Sequence, residues 1–184
     1  CDISINSLHL TDLDVGYFDS RTRLNPPLRQ QRDRDALRAA LLDGTIDALV
    51  SDHTPVDEDA KALPFAESES GATGLELLLS LTLKWAQDSG VNLSDALATI
   101  TRRPAGVLGA SVGAMAGQLG TLTAGAVADL CVFDAAAHWV VQPDALRSQG
   151  KHTPFGGYEL PGRVRATLVG LVQAPPEVVA ALAA

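Results

Sequence analysis

The sequence predicts a protein of the α/β class, and three observations lead to that prediction. Hydrophobic residues make up 46% of the 184 residues but aromatic residues only 4%, so the core has to be built from aliphatic side chains. A helical pattern over 31–42 is followed by Gly44 and then by the apolar run 46–50. Helix, tight turn and buried strand in this order are typical of parallel α/β sheets and barrels. Further strand signals recur in the last third of the chain.

Charge and cysteine content exclude several classes of function. The net charge is −8 and no basic stripe is present, so neither nucleic acid nor an anionic membrane is expected as the main partner. Cys1 and Cys131 are too few and too far apart for a disulfide framework or a zinc knuckle, and we expect both to be buried. No apolar run approaches the roughly 20 residues of a membrane span, and no signal-peptide pattern opens the chain. These features predict a cytoplasmic protein.

The first ten residues alternate apolar and polar side chains for part of their length, which predicts a half-buried strand over 1–10. His9 lies between two leucines, where a packed or hydrogen-bonded histidine is favoured over a metal ligand. Because the chain opens on Cys1 rather than Met, and inside a predicted strand, we expect an N-terminal part of the protein to be missing.

The next segments are a stiff loop and a surface helix. Pro26 and Pro27 fix an extended conformation over 23–29, which can hold Asn25 rigidly or serve only as a connector. The helix predicted over 31–42 ends near Gly44 and leads directly into the strand.

The end of the strand 46–50 is the candidate functional centre. Asp52 and His53 follow it, at the carboxyl end, where barrels and doubly wound sheets gather their catalytic groups. Pro55 then ends the strand. Two interpretations are open: a working metal or acid/base site, or what remains of one.

A long acidic loop and three helices are predicted after this centre. Loops as long as 54–74 are usually functional or mobile inside a compact domain, although its acidic run is more typical of a solvated face. The helix over 75–87 is too apolar to be exposed and should be packed on several sides. Helices over 95–102, closed by Pro104, and 104–108 follow.

The last third of the chain has the pattern of a separate β module. Gly, Ala and Ser dominate 109–120, which marks a module boundary. Strands are predicted over 128–133, 139–141 and 164–172. His152 lies in a turn-rich loop, where a structural role is favoured over a catalytic one.

Four blocks, in this order and spacing, resemble the C-terminal half of a bacterial dihydroorotase of the amidohydrolase superfamily. They are Leu24-Asn-Pro-Pro-Leu-Arg29, Gly44-Thr-Ile-Asp-Ala-Leu-Val-Ser-Asp-His-Thr-Pro55, Gly71-Ala-Thr-Gly-Leu-Glu76 and Lys151-His-Thr-Pro-Phe-Gly-Gly157. The segments 117–122 and 125–134 are similar to the small β module of that family. Any one block is weak, but their joint order covers almost the whole chain.

The resemblance implies a fold and a domain organisation. The expected architecture is the C-terminal part of a TIM-like (β/α)8 barrel with trailing helices over 1–115, a small β-sandwich module over 116–173 and a tail over 174–184. The implied partner within the fold is the missing N-terminal part of the barrel.

The resemblance also implies a chemistry, the reversible ring closure of carbamoyl aspartate to dihydroorotate with the help of zinc. In such enzymes a bound metal polarises the amide and supplies hydroxide while an aspartate moves the proton. Asp52 matches the aspartate that is both metal ligand and base. Asn25 and Gly71 match substrate-binding positions. The histidine ligands of the family would precede Cys1.

Three departures from the enzymes of this family are present. Asn6 and Ser7 stand where the catalytic members have two histidines, Val56 stands where they have a histidine, and Glu69 opens the triplet that reads Pro-Phe-Gly in those members. Glu69 would repel a substrate that carries two carboxylates. The same departures resemble the non-catalytic dihydroorotase-like subunits that assemble with aspartate carbamoyltransferase.

Three hypotheses follow for the function. The favoured one is a non-catalytic structural or regulatory partner of aspartate carbamoyltransferase in pyrimidine synthesis, in which Asp52 and His53 persist as a buried hydrogen-bonded pair. The second is an active dihydroorotase or related cyclic amidohydrolase whose other metal ligands lie upstream. The third is an α/β globular fragment with neither role.

Overall fold

The computed structural model describes residues 1–115 and 119–171. The helices and strands are β1 (Asp2–Ser4), α1 (Ile5–His9), α2 (Gln31–Asp43), β2 (Ala48–Val50), α3 (Glu58–Lys61), α4 (Leu78–Ser89), α5 (Leu93–Ala98), α6 (Arg102–Leu108), β3 (Ala128–Val140) and β4 (Glu159–Leu171). Short 3-10 turns lie at Asp12–Val15, Ser20–Thr22, Leu75–Leu77, Gly109–Met115 and Pro143–Ala145.

The strands β1 and β2 form a parallel pair, in which Ile3 lies opposite Leu49. Parallel neighbours need a crossover connection, and α2 lies within it. The helix ends where Gly44 adopts φ +85°, a left-handed conformation that favours glycine. The predicted unit of helix, tight turn and buried strand is therefore present, and the α/β class is confirmed.

The N-terminal strand is shorter than the sequence pattern predicts. It ends at Ser4, whose hydroxyl accepts a hydrogen bond from the Asn6 amide at 3.3 Å and so caps α1. In that helix Ile5, Asn6 and Leu8 are buried. The prediction of a strand over 1–10 is wrong beyond Ser4 because this local cap outweighs a short run of alternating side chains.

The boundary between α5 and α6 also differs from its prediction. The first helix begins at the Asn92 cap, whose side-chain oxygen accepts from the Asp95 amide at 2.9 Å, and it ends at Ala98. Pro104 does not close a helix but lies in the first turn of α6. A proline is tolerated there because the amides of the first turn have no partner within the helix.

The strands β3 and β4 form a two-stranded antiparallel sheet. Two of the predicted strands are one continuous β3, with an irregular register between Asp134 and His138. The Asp134 carboxylate accepts from the Ala136 and Ala137 amides at 3.0 and 3.2 Å, which accommodates the irregularity. The predicted β-sandwich and its boundaries stay a prediction, since residue 116 and the tail 174–184 lie outside the described residues.

The helix α4 lies at the centre of the core and joins the two sheets. Leu81 and Trp85 are buried, as the apolar pattern over 75–87 predicts. On its other side, the Ser80 hydroxyl donates to the Gly162 carbonyl of β4 at 2.8 Å and accepts from the Trp139 indole of β3 at 3.1 Å. The β3–β4 sheet is therefore packed directly on this helix.

Both cysteines are exposed, so the prediction that they are buried is wrong. Cys1 begins the chain, and Cys131 lies on the outward face of β3, where burial alternates from residue to residue. Within the described ranges, no helix has the length and apolar character needed to cross a membrane.

His9 is a packed and hydrogen-bonded histidine, as its position between leucines predicts. Its Nε2 lies 2.9 Å from the Leu81 carbonyl, to which it donates, and its ring meets the Phe155 ring edge-on at 6.0 Å. Burial lowers the pKa of His9 to about 4, because the charged imidazolium cannot be hydrated there.

This burial makes His9 a source of acid sensitivity. The unfolded chain binds a proton at His9 below about pH 6.5 and the folded chain only below about 4, so stability is lost as pH falls between these values. Relative to His9→Gln, we expect the wild type to lose on the order of 3 kcal/mol of unfolding free energy between pH 7 and 4. Denaturant titrations at both pH values measure the difference. The matched control is His138→Gln, at an exposed position of β3. An equal pH response of the two variants would contradict the assignment.

Candidate functional site

The candidate site lies where three loops meet at the carboxyl end of β2. The loop 51–56 leaves the strand, the turn 71–75 lies against it, and the loop 148–153 packs beside both. The Thr54 amide donates to the Ala72 carbonyl at 2.9 Å, and the Thr73 amide donates to the His152 carbonyl at 2.7 Å. Backbone hydrogen bonds therefore hold together loops that are far apart in sequence.

Asp52 and His53 lie where the sequence places them, directly after β2, and both are partly exposed. Asp52 adopts φ +50°, in the left-handed region. Its carboxylate forms no hydrogen bond or ion pair with any described residue. The predicted buried pair of Asp52 and His53 is therefore wrong, because both residues are partly exposed and the His53 ring bonds to backbone amides instead.

The His53 imidazole instead holds the turn that follows in sequence. Its Nδ1 lies 3.2 Å from the Gly74 amide and 3.3 Å from the Leu75 amide. Both groups donate, so Nδ1 is the acceptor and a proton on the ring of the neutral form is assigned to Nε2. His53 thus has a structural role, as the acceptor for two amides at the start of the 3-10 turn before α4.

The turn 71–75 approaches the loop 51–56 most closely at Gly71. It is buried and adopts φ +138°, and an added Cβ would lie 2.5 Å from the Thr54 carbonyl oxygen. Gly74 has the same relation to Ser51, with an added Cβ at 2.6 Å from the carbonyl oxygen. Only residues without a Cβ fit at these two positions.

Asn25 is exposed, in the loop that the two prolines stiffen. Leu24 beside it is buried, and the Asn25–Pro26 peptide bond is cis. The Arg23 carbonyl accepts a hydrogen bond from the Gly71 amide at 3.0 Å. The two predicted substrate-binding positions, Asn25 and Gly71, are therefore linked through Arg23.

The loop 148–153 is held by side chains of the turn. The Glu76 carboxylate accepts from the Arg147 and Ser148 amides at 2.6 and 3.1 Å, and the Thr73 hydroxyl donates to the Gly150 carbonyl. His152 contributes its carbonyl to this network. The sequence had given no role to Glu76, although it belongs to one of the four blocks of resemblance.

The positions that depart from the catalytic enzymes have different environments. Asn6 and Val56 are each 4% exposed, so both side chains belong to the interior. Glu69 is exposed. The buried Val56 leaves no titratable group at the position where the resembling enzymes carry a histidine.

The sequence did not indicate that Lys61 is a buried lysine close to the site. It is only 2% exposed, and its amine donates to the Ser20 and Arg23 carbonyls at 2.9 and 3.1 Å. Burial lowers its pKa to about 8. The available signal was a single lysine within a loop whose other charged residues are acidic.

The fit of a metal was tested against the donors present. Across residues 1–115 and 119–171, no group of three or more His, Cys, Asp or Glu side chains could hold a metal ion. Asp52 offers one free carboxylate, while His53 uses Nδ1 for the turn. The described residues do not by themselves form a zinc site, which needs three or four ligands.

A polar cleft of about 260 Å³ lies along the loop 148–153 of the site. Its lining includes Arg21, Asp57, Glu58, Lys151 and His152. None of the predicted site residues Asp52, Asn25 and Gly71 lines this cleft.

Comparisons with known proteins agree with this architecture. The model of the amidohydrolase family matches residues 2–170. The dihydroorotase of Geobacter metallireducens is 38% identical over 170 residues, and a dihydroorotase-like protein of Pseudomonas aeruginosa is 40% identical over 169 residues. Each match covers 92% of this chain but 38% of the relative, so the chain spans about two fifths of the length of these proteins.

Solved structures show the same fold. A D-hydantoinase superposes with a TM-score of 0.79 at 25% identity, over 91% of this chain and 37% of the other. The dihydroorotase of Saccharomyces cerevisiae in complex with 5-fluoroorotic acid superposes with a TM-score of 0.67 at 18% identity, over 89% and 42%. These similarities support an α/β amidohydrolase fold.

The role of His53 as an acceptor for the turn predicts a selective effect of substitution. His53→Ala removes the acceptor of two amides, and we expect a loss of about 1–3 kcal/mol in unfolding free energy with faster hydrogen exchange at Gly74 and Leu75. His53→Asn places an oxygen near the position of Nδ1 and is expected to restore most of both. Equal exchange rates in the two variants would argue against this role.

The close approach at Gly71 predicts a second effect on stability. Gly71→Ala combines a positive φ with a clash against the Thr54 carbonyl, whereas Gly157→Ala has a positive φ of +83° and no heavy atom within 4 Å of the new Cβ. The positive φ costs about 1–3 kcal/mol in each, and overpacking adds about 1–3 kcal/mol in Gly71→Ala. Thermal or denaturant unfolding of both variants measures the difference, and equal losses would show that the contact has no energetic weight.

Proposed function

The chain belongs to the amidohydrolase family, and from this premise we propose that it is part of a dihydroorotase-like protein of pyrimidine biosynthesis that acts as a non-catalytic partner of aspartate carbamoyltransferase. The name of the Pseudomonas aeruginosa relative, a dihydroorotase-like protein, is consistent with the first part of this proposal. The partner follows from the resemblance of the replaced site positions to non-catalytic subunits.

The observation that carries the proposal is how few side chains of the loop 51–56 are free to act as an acid or a base. The aliphatic Val56 is buried where the resembling enzymes have a histidine. The imidazole of His53 is engaged with two amides of the turn. Asp52 is therefore the one free acid or base among the side chains that follow β2 in the loop 51–56.

The negative charge of Glu69 also opposes binding of an anionic substrate. Glu69 is exposed two residues before Gly71, and carbamoyl aspartate carries two carboxylates. Two like charges 4 Å apart repel by about 1 kcal/mol in water and by about 4 kcal/mol near a protein surface. Lost polar contacts to a charged substrate group cost about 1.5–3 kcal/mol each, so two or three such losses together abolish useful turnover.

An active dihydroorotase is the second candidate, and one observation favours it. The Asp52 carboxylate is free at the carboxyl end of a parallel strand, where this family places its catalytic aspartate. In that case the other metal ligands belong to sequence outside this chain.

We expect the full-length protein to hydrolyse no dihydroorotate, to lack stoichiometric zinc, and to co-purify with aspartate carbamoyltransferase. Metal analysis and a hydrolysis assay of the full-length protein measure the first two properties. Size-exclusion chromatography of this protein mixed with aspartate carbamoyltransferase measures the association. Asp52→Ala is the matched control, because a structural partner should assemble unchanged without this carboxylate.

The opposite pattern would establish the second candidate. Stoichiometric zinc, with dihydroorotate hydrolysis that Asp52→Ala abolishes, would refute the non-catalytic role. Failure to associate with the carbamoyltransferase would remove the proposed partner.

A further inference from the structure

We propose that Lys61 is a positioning residue of the candidate site. Its amine fixes the Arg23 carbonyl, and thereby fixes the loop 23–29, which contains Asn25, relative to Gly71. The proposal goes beyond the function proposed above and holds whether or not the site turns over a substrate.

The first step is the position of Lys61. It ends α3, in a loop whose acidic side chains Asp57, Glu58 and Glu69 are exposed, yet its own side chain is 2% exposed. Burial of a lysine is costly unless its donors are satisfied. No carboxylate of the described residues lies within ion-pair distance of its amine, so backbone carbonyls satisfy it instead.

The second step is the bonding of the amine. Nζ donates to the Ser20 carbonyl at 2.9 Å and to the Arg23 carbonyl at 3.1 Å. The Ser20 hydroxyl returns a bond to the Lys61 carbonyl at 2.7 Å. The segment 20–23 and the end of α3 are therefore joined in both directions.

The third step connects this junction to the site. The Arg23 carbonyl accepts from the Gly71 amide at 3.0 Å as well as from Lys61. Arg23 lies two residues before Asn25, and Gly71 is fixed against Thr54 by the absence of a Cβ. One carbonyl oxygen thus receives donors from the buried lysine and from the site glycine.

The segment 20–23 is also held in place by contacts of the Arg23 side chain. Its guanidinium donates to the Phe65 carbonyl and lies 5.9 Å from the centre of the Phe65 ring. These contacts bring the acidic loop onto the segment 20–23, but none of them reaches the Arg23 carbonyl. The position of that carbonyl depends on the two donors Lys61 and Gly71.

The charge of Lys61 supplies a spectroscopic signature. Burial lowers its pKa to about 8, and the charged groups that face it are Arg23 and Asp19 of the preceding segments and Glu69 of its own loop. In the unfolded chain a lysine titrates near pH 10.5. Below about pH 8 the folded state therefore carries the full free-energy cost of burying a charged amine. The free energy of unfolding rises with pH between about 8 and 10.5.

The test uses the full-length protein and needs no ligand. In the wild type, we expect the carbonyl-carbon chemical shift of Arg23 to titrate with a midpoint near pH 8. Lys61→Met keeps the length of the side chain and removes its donors. The substitution should abolish this titration and speed hydrogen exchange of the Gly71 amide about tenfold. The exchange rate of the Leu49 amide, in β2, should change little.

Lys84→Met on α4 is the matched control, since that lysine is ion-paired with Asp88 and has no contact with the segment 20–23. It should leave the Arg23 titration and the Gly71 exchange as in the wild type. If Lys61→Met does not fold, the wild-type titration alone decides. An Arg23 carbonyl that does not titrate between pH 7 and 10, or an unchanged Gly71 exchange in Lys61→Met, would overturn the proposal. Failure of the proposed function appears in different measurements, namely zinc content, hydrolysis and assembly.

Discussion

The candidate site depends on the close contact between the turn 71–75 and the loop 51–56. Gly71 and Gly74 lie against the Thr54 and Ser51 carbonyls at distances that leave no room for a Cβ. Because this contact places the turn, it also places the amides that His53 accepts and the amide that Gly71 donates to Arg23. Each further loop is attached to one of these two segments, so the shape of the site follows from backbone packing.

The loops of the site are joined by bonds in which Val56 takes no part. These are the backbone bonds of the Thr54 and Thr73 amides, together with bonds of the His53, Thr73 and Glu76 side chains. Replacing a histidine by Val56 removes a reactive group without removing any of these bonds. The amidohydrolase architecture is therefore compatible with an aliphatic side chain at position 56.

The sequence predicts the parts of the fold that short-range patterns determine. The helix before Gly44, the strand leading to Asp52 and the buried helix α4 follow from periodicity and turn chemistry. The bonding of His53 and Lys61 could not be predicted in this way, because their partners lie 21 to 41 residues away in sequence. The predicted end of β1 was wrong because a single capping side chain, Ser4, determines it. Domain boundaries and substrate-binding roles stay predictions.

The backbone conformation of Asp52 is by itself a reason for an aspartate at this position. Its φ of +50° lies in a region that most side chains avoid and that aspartate and asparagine tolerate. The backbone preference therefore favours an aspartate at this position whether or not the site is catalytic. Its presence does not distinguish an active enzyme from a structural subunit. Val56 and Glu69 distinguish them better, since neither needs an unusual backbone conformation, and each changes the polarity or charge offered to a substrate.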